Sequence, residues 1–166
     1  MRQLCILVIS TIGVTGLYAQ TLQQTLETRG MLVTRRVAAG GSTGAISLLL
    51  VRARAGERGE SRGVEITVKE SAQKSRRVPL DRTELTSLAA AITRIVDAFN
   101  SPNAVPDIAY VTKSGFNISM QNGASGRYLL VRSAPNDETA VHALITVQEL
   151  RQFRELIIAA KKILEQ

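Results

Sequence analysis

The spacing of apolar residues changes from a strand-like to a helix-like pattern at two places in the chain, Asp81 and Thr146. Before each change, short apolar runs lie between glycine-rich turns, and residues 64–69 alternate strictly between apolar and polar, which predicts strands with one buried face. After each change, the apolar residues recur at three- and four-residue intervals, which predicts long helices over residues 82–99 and 147–165. Strands grouped ahead of each helix favour an α+β fold over parallel βαβ winding.

The same order of elements occurs twice. Each predicted helix begins with a capping box, formed by Asp81 with Glu84 and by Thr146 with Glu149. A shift of 65 residues superimposes these caps and the apolar faces that follow them. We interpret the match as a duplicated unit of about four antiparallel strands and one helix, although two capped amphipathic helices also look alike when aligned on their caps. The predicted strands are residues 31–37, 45–55, 64–69 and 76–80, then 108–112, 116–120, 128–132 and 140–145.

These elements predict a single α+β domain over residues 30–166, made of two half-repeats, 30–100 and 107–166. The residues between the half-repeats contain Pro102 and Pro106 and form the predicted linker. Residues 20–29 form a polar N-terminal lead. A sheet and a helix taken alone leave one apolar face uncovered, so we expect the two half-repeats to pack together into one core.

The N-terminus has the pattern of a secretory signal peptide over residues 1–19. A short positive start precedes an apolar stretch at residues 4–17, and Ala19 offers a small residue for cleavage. Serine, threonine and glycine interrupt the stretch, which is shorter than the roughly 20 apolar residues of a spanning helix; an uncleaved anchor is the alternative. We therefore expect a secreted or periplasmic protein with no membrane span after cleavage. Its only cysteine, Cys5, would leave with the signal.

Catalytic patterns are scarce. The chain has one histidine, His142, within a predicted strand, and Glu57 and Glu60 lie in a charged loop with arginines. The glycines of residues 40–44 precede a predicted strand rather than a helix, which favours a hairpin over a phosphate-binding loop. The sequence therefore predicts a non-catalytic protein without metal or cofactor, with an enzyme of unfamiliar type as the alternative.

Positive charge is concentrated in the first half-repeat. The formal net charge is +7, and residues 31–80 carry ten basic and four acidic residues, whereas residues 81–166 carry nine of each. Alternation places Arg52 and Arg54 on one strand face, which Arg35 and Arg77 join if the register allows. The candidate anion-binding residues are Arg35, Arg52, Arg54, Lys69, Arg76 and Arg77. The alternative is a solvated sheet surface that resists aggregation.

Two copies of four strands plus a helix, over residues 30–166, resemble the whirly and purine-rich-element families of single-stranded nucleic-acid-binding proteins. The Lys-Gly-Lys-Ala-Ala-Leu run of plant whirly proteins is absent here. The sequence favours an exported binding or interaction protein of unknown ligand. The alternative is a binder of single-stranded nucleic acid or another polyanion, using the basic sheet of the first half-repeat. The partner is thus an acidic polymer or a protein, and exposed sheet edges also allow a homodimer.

Overall fold

A computed structural model of the chain describes residues 21–27, 33–56, 59–134 and 137–166. Two four-stranded antiparallel sheets are each followed by a long helix, which confirms the predicted α+β fold and its two repeated units. The predicted signal peptide lies outside the described residues. The first unit contains β1 (Val33–Thr43), β2 (Ile46–Ala55), β3 (Ser61–Lys69), β4 (Ser75–Asp81) and α2 (Arg82–Asn100). The second contains β5 (Ile108–Val111), β6 (Asn117–Gly123), β7 (Gly126–Arg132), β8 (His142–Ile145) and α3 (Val147–Leu164).

Within each sheet the strands lie side by side in chain order and are joined by hairpins. Two strands of the first unit are longer than predicted. Strand β1 continues through residues 40–43, and β3 begins before the predicted residue 64, so that it includes Arg62 and Gly63. The turn of the β1–β2 hairpin is thereby reduced to Gly44 and Ala45, and Gly44 takes the positive φ of +52° that glycine adopts at little steric cost. The glycine-rich segment is a hairpin, as predicted.

Both long helices begin at the predicted caps. Asp81 and Thr146 occupy the N-cap positions. The backbone N–H of each donates to the glutamate three residues later, Glu84 at 3.1 Å and Glu149 at 2.7 Å. These glutamates satisfy donors that the first turn of a helix leaves free. Within the described residues, no helix is long and apolar enough to cross a bilayer.

Each long helix packs across the boundary between the units. Helix α3 of the second unit lies against β1, β2 and β3 of the first, and α2 contacts β5 and β6 as well as β3 and β4. The rings of Phe116 and Phe153 meet at a centroid distance of 5.9 Å and an angle of 60°. One apolar core therefore contains side chains from both sheets and both helices, as predicted.

The capping glutamates also connect the units. The carboxylate of buried Glu84 accepts hydrogen bonds from the backbone and side chain of Ser114, in the β5–β6 turn, at 3.2 and 3.0 Å. At the start of α3, the Thr43 hydroxyl at the end of β1 donates to the Glu149 carbonyl at 3.3 Å. Each long helix thus begins against the first hairpin of the other unit.

The polar lead, for which the sequence predicts no helix or strand, contains a third helix, α1 (Leu22–Leu26). It covers the face of the first sheet opposite the main core, where Leu22 packs with Val51 and Ala53. The Leu22 N–H donates to Asp81 Oδ1 at 2.7 Å, so the N-cap residue of α2 also holds the start of α1. Its few apolar side chains explain why periodicity alone did not reveal it.

Gly63 tests the close packing of β3 against both β4 and α1. A Cβ at Gly63 would lie 2.4 Å from the Leu80 carbonyl oxygen and 2.9 Å from Leu22 Cδ2. We expect Gly63→Ala to lower the free energy of unfolding by about 1–3 kcal/mol, as overpacking does elsewhere. Urea denaturation measures the change. Gly59→Ala is the control, because nothing lies within 4 Å of its Cβ position; equal stability of the two variants would contradict the packing described.

Candidate anion-binding surface

Three arginines form a row across the first sheet. The register pairs Arg36 of β1 with Arg52 of β2, and Arg52 with Arg62 of β3. Directly paired residues point to the same side of a sheet, so the three side chains are neighbours about 5 Å apart. They extend the face that carries the core residues Leu48 and Leu50, but lie beyond the core and are exposed. We call Arg36, Arg52 and Arg62 the arginine row.

The charges of this row are incompletely balanced. Arg62 Nε donates to Glu60 Oε1 at 2.8 Å, in a pair whose side chains are both more than 40% exposed. Within the described residues, no carboxylate lies within salt-bridge distance of Arg36 or Arg52. Like charges directly opposite one another destabilise a sheet. The row therefore has a net positive charge that a bound anion would neutralise.

Of the six predicted residues, Arg52 belongs to this row, Arg54 lies beside it and Arg35 reaches the same end of the sheet. Arg54 follows Arg52 on the same strand face, as alternation predicted. Arg35 is paired with Ala53 and lies on the opposite face, where its guanidinium forms an ion pair with buried Glu65. A depression of about 300 Å³ at this end is lined by Arg35, Arg36, Arg52, Ala53, Arg54 and Glu60.

The other three predicted residues lie at the far end of the sheet. Lys69 is seven residues from Arg62 along β3, which corresponds to about 23 Å. Arg76 forms an ion pair with Asp137 of the second unit, at 2.5 Å. Arg77, paired with Thr67, faces the side opposite the arginine row. The register therefore does not bring Arg35 or Arg77 onto the face of Arg52 and Arg54, and the six residues do not converge.

Sequence reasoning missed Arg36 and Arg62 as members of the surface. Arg62 was assigned to a loop, and Arg36 is adjacent in sequence to Arg35, which points to the other face. A one-residue difference in register exchanges the two faces of a strand. Counting pairs back from the turn at Gly44 would not have found them, because the register shift between Val37 and Ala39 is what brings Arg36, rather than Arg35, onto the face of Arg52.

The second unit uses the equivalent position differently. A shift of 65 residues places Arg62 on Arg127 of β7. Arg127 Nη1 donates to the carbonyl oxygens of Ala98, Phe99 and Ser101 at 3.0, 3.0 and 2.6 Å, and so caps the end of α2. Cations are favourable at the C-terminal end of a helix. Arg127 therefore has a structural role, whereas Arg62 pairs with Glu60.

Other candidate sites lack a comparable charge. A groove of about 440 Å³ between α2 and α3 is lined by acidic and basic side chains together, Asp97 and Glu155 with Arg151 and Arg154. His142, at the start of β8, is exposed, and its Nδ1 lies 3.7 Å from Glu70 Oε2. In the part of the chain that the structure describes, no three His, Cys, Asp or Glu residues are grouped to hold a metal ion.

No protein-family model matches this chain, and no curated protein matches its sequence. The chemistry of the arginine row itself indicates what it can bind. Guanidinium groups are planar and always charged, and they present donors that match carboxylate, phosphate and sulfate oxygens. Several of them at strand spacing can contact several anionic groups of one ligand.

Asp137 offers a pH test of the contact between the units. The Arg76 guanidinium, with help from Thr139, lowers the pKa of Asp137 from 3.8 to about 2. A lowered folded-state pKa contributes stability above pH 3.8 that is lost as the pH falls toward about 2. We therefore expect Arg76→Met to weaken the dependence of stability on pH in this window, as measured by urea denaturation. Arg77→Met, which removes the same charge, should keep the wild-type dependence; identical behaviour of the two variants would contradict the assignment.

Proposed function

We propose that the protein is an exported, non-catalytic binding protein whose ligand is an acidic polymer held by the arginine row and Arg54. The observation that carries the proposal is the direct pairing of Arg36 with Arg52 and of Arg52 with Arg62. Repulsion between the paired guanidinium groups destabilises the free protein, and a bound anionic ligand would relieve that repulsion. The two other components, export and lack of catalysis, come from the sequence patterns.

The dimensions of the row favour a polymer over a small anion. The row crosses three strands, of which the outer two are about 10 Å apart. Arg54 extends it along β2 by about 7 Å. A single phosphate or sulfate would contact one or two of these guanidinium groups. A chain of repeated anionic groups would contact all four.

The chemistry around the row favours ion pairing over base stacking. Single-strand nucleic-acid binders stack bases on aromatic side chains. The residues that line the depression at the row include no aromatic side chain, and exposed Tyr128 lies in the second sheet. We therefore favour a sulfated or phosphorylated polymer bound through its charge, with single-stranded nucleic acid as the second candidate.

Salt-dependent binding tests the surface. We expect the protein to bind heparin with an affinity that falls linearly on a logarithmic scale of salt concentration. Arg36→Ala combined with Arg52→Ala should reduce affinity by roughly tenfold or more and the salt slope by about 2, because two contacts are lost. Fluorescence anisotropy or isothermal titration measures both quantities.

The matched control is Lys69→Ala combined with Arg77→Ala, which removes the same net charge at the far end of the sheet. This control should keep the wild-type affinity at moderate salt, where distant charges are screened. Equal losses in the two double variants would show nonspecific attraction and overturn the proposal. Oligo(dT) in parallel separates the candidates, because tighter binding of oligo(dT) than of heparin would favour nucleic acid.

The export component has its own test. Cleavage after Ala19 would leave Gln20 as the first residue and remove Cys5. We expect mass spectrometry of the exported protein to give this N-terminus and a thiol assay to detect no cysteine. A full-length protein that retains its thiol in the membrane fraction would instead support an uncleaved anchor.

A further inference from the structure

Strand β5 forms one edge of the second sheet and pairs only with β6 within the described chain. Just beyond β5, the Thr112 N–H donates to the Phe116 carbonyl at 2.8 Å. The backbone N–H and C=O groups of successive residues in an antiparallel strand point alternately to one side and the other. The backbone groups of Ile108 and Tyr110 therefore also point toward β6, whereas those of Ala109 and Val111 point away from it. This edge presents backbone donors and acceptors in the geometry that another strand would pair with.

A groove runs beside this edge. It has a volume of about 370 Å³ and lies between β5 and α2. Its helix side carries the small residues Ser87, Ala90 and Ala91, with Arg94 one turn further on. An additional strand beside β5 would find room for its inward side chains here, and another helix could approach α2 closely.

The first unit is protected at the equivalent edge. Strand β1 has a register shift between Val37 and Ala39, and β-bulges hinder pairing at sheet edges. A shift of 65 residues places Ser87, Ala90 and Ala91 on larger side chains of α3, which are Gln152, Glu155 and Leu156. Leu156 lies against β1, where a Cβ at Gly41 would be 2.5 Å from its Cδ2. The two units thus differ at the position where a second chain would bind.

We propose that two copies of the chain associate through β5 and α2, with the β5 strands antiparallel across a twofold axis. Pairing through Ala109 and Val111 places Tyr110 opposite the Tyr110 of the partner copy, and the two sheets become one of eight strands. This self-pairing does not depend on the anionic ligand.

The sequence of α2 is self-complementary in this arrangement. When two α2 helices cross antiparallel, Ala90 of one copy faces Ala91 of the other, and Arg94 faces Ser87. Small residues therefore meet at the axis, and each arginine meets a hydroxyl acceptor instead of another arginine. This match favours a second copy over an unrelated extended peptide as the occupant of the groove.

Sedimentation velocity of the purified protein tests the association. We expect the mass of two chains for the wild type and of one chain for Ala90→Arg. This substitution places a long, charged side chain in the proposed contact between the two α2 helices, at a residue that is exposed in the single chain. Ala159→Arg is the matched control, an exposed alanine on α3 that should leave the dimer intact. A monomeric wild type would overturn the proposal, as would a dimer that persists in Ala90→Arg.

The strand pairing has a separate test. Ala109→Pro removes only an outward-facing N–H, so it should reduce dimerisation while the urea midpoint of the monomer changes little. Tyr110→Cys should form an intermolecular disulfide, because residues opposite each other in a non-hydrogen-bonded antiparallel pair lie about 4.5 Å apart, within disulfide range. The Tyr128→Cys variant, from an exposed site away from β5, should remain uncrosslinked; equal crosslinking of both variants would contradict the pairing.

Discussion

The fold depends on the exchange of helices between the two units. Helix α3 covers the first sheet, and α2 contacts the second sheet as well as its own. Neither unit retains its complete core when separated from the other, because Phe153 of α3 packs in a cluster with Ile46, Ile66 and Leu88 of the first unit. Burial of such side chains is the largest favourable term in folding. We therefore expect the chain to fold as one cooperative domain rather than as two independent repeats.

What the sequence could predict was the local structure. The alternation in β3, the caps at Asp81 and Thr146, and the turn glycine at Gly44 each depend on residues close together in the chain. These features determined the class, the order of elements and the two repeated units. The bounds of the helices agree with the structure within a few residues for the same reason.

What the sequence could not predict was which residues face one another across strands and between units. Arg35 and Arg36 are neighbours with the same side chain, yet one pairs with Glu65 and the other joins the arginine row. Only the register of the β1–β2 hairpin, with its shift between Val37 and Ala39, separates them. The docking of α1 on the first sheet was equally hidden, because it depends on a hydrogen bond between Leu22 and Asp81, 59 residues apart.

The two units differ at the residues on which the two proposals rest. Where both units solve the same structural problem, as at the capping residues Glu84 and Glu149, the residues are the same. Arg62 and Arg127 are the same residue with different contacts, because only Arg127 caps a helix. At Ala90 and Glu155 the residues themselves differ. The first difference leaves cationic charge on the first sheet, and the second leaves a pairing edge on the second sheet. Because the arginine row lies on the first sheet and β5 on the second, a dimer formed through β5 would keep both arginine rows. A polymer that is bound to one row and long enough to reach the other would meet the second row at high effective concentration. Dimerisation would therefore raise the affinity of the protein for the polymer.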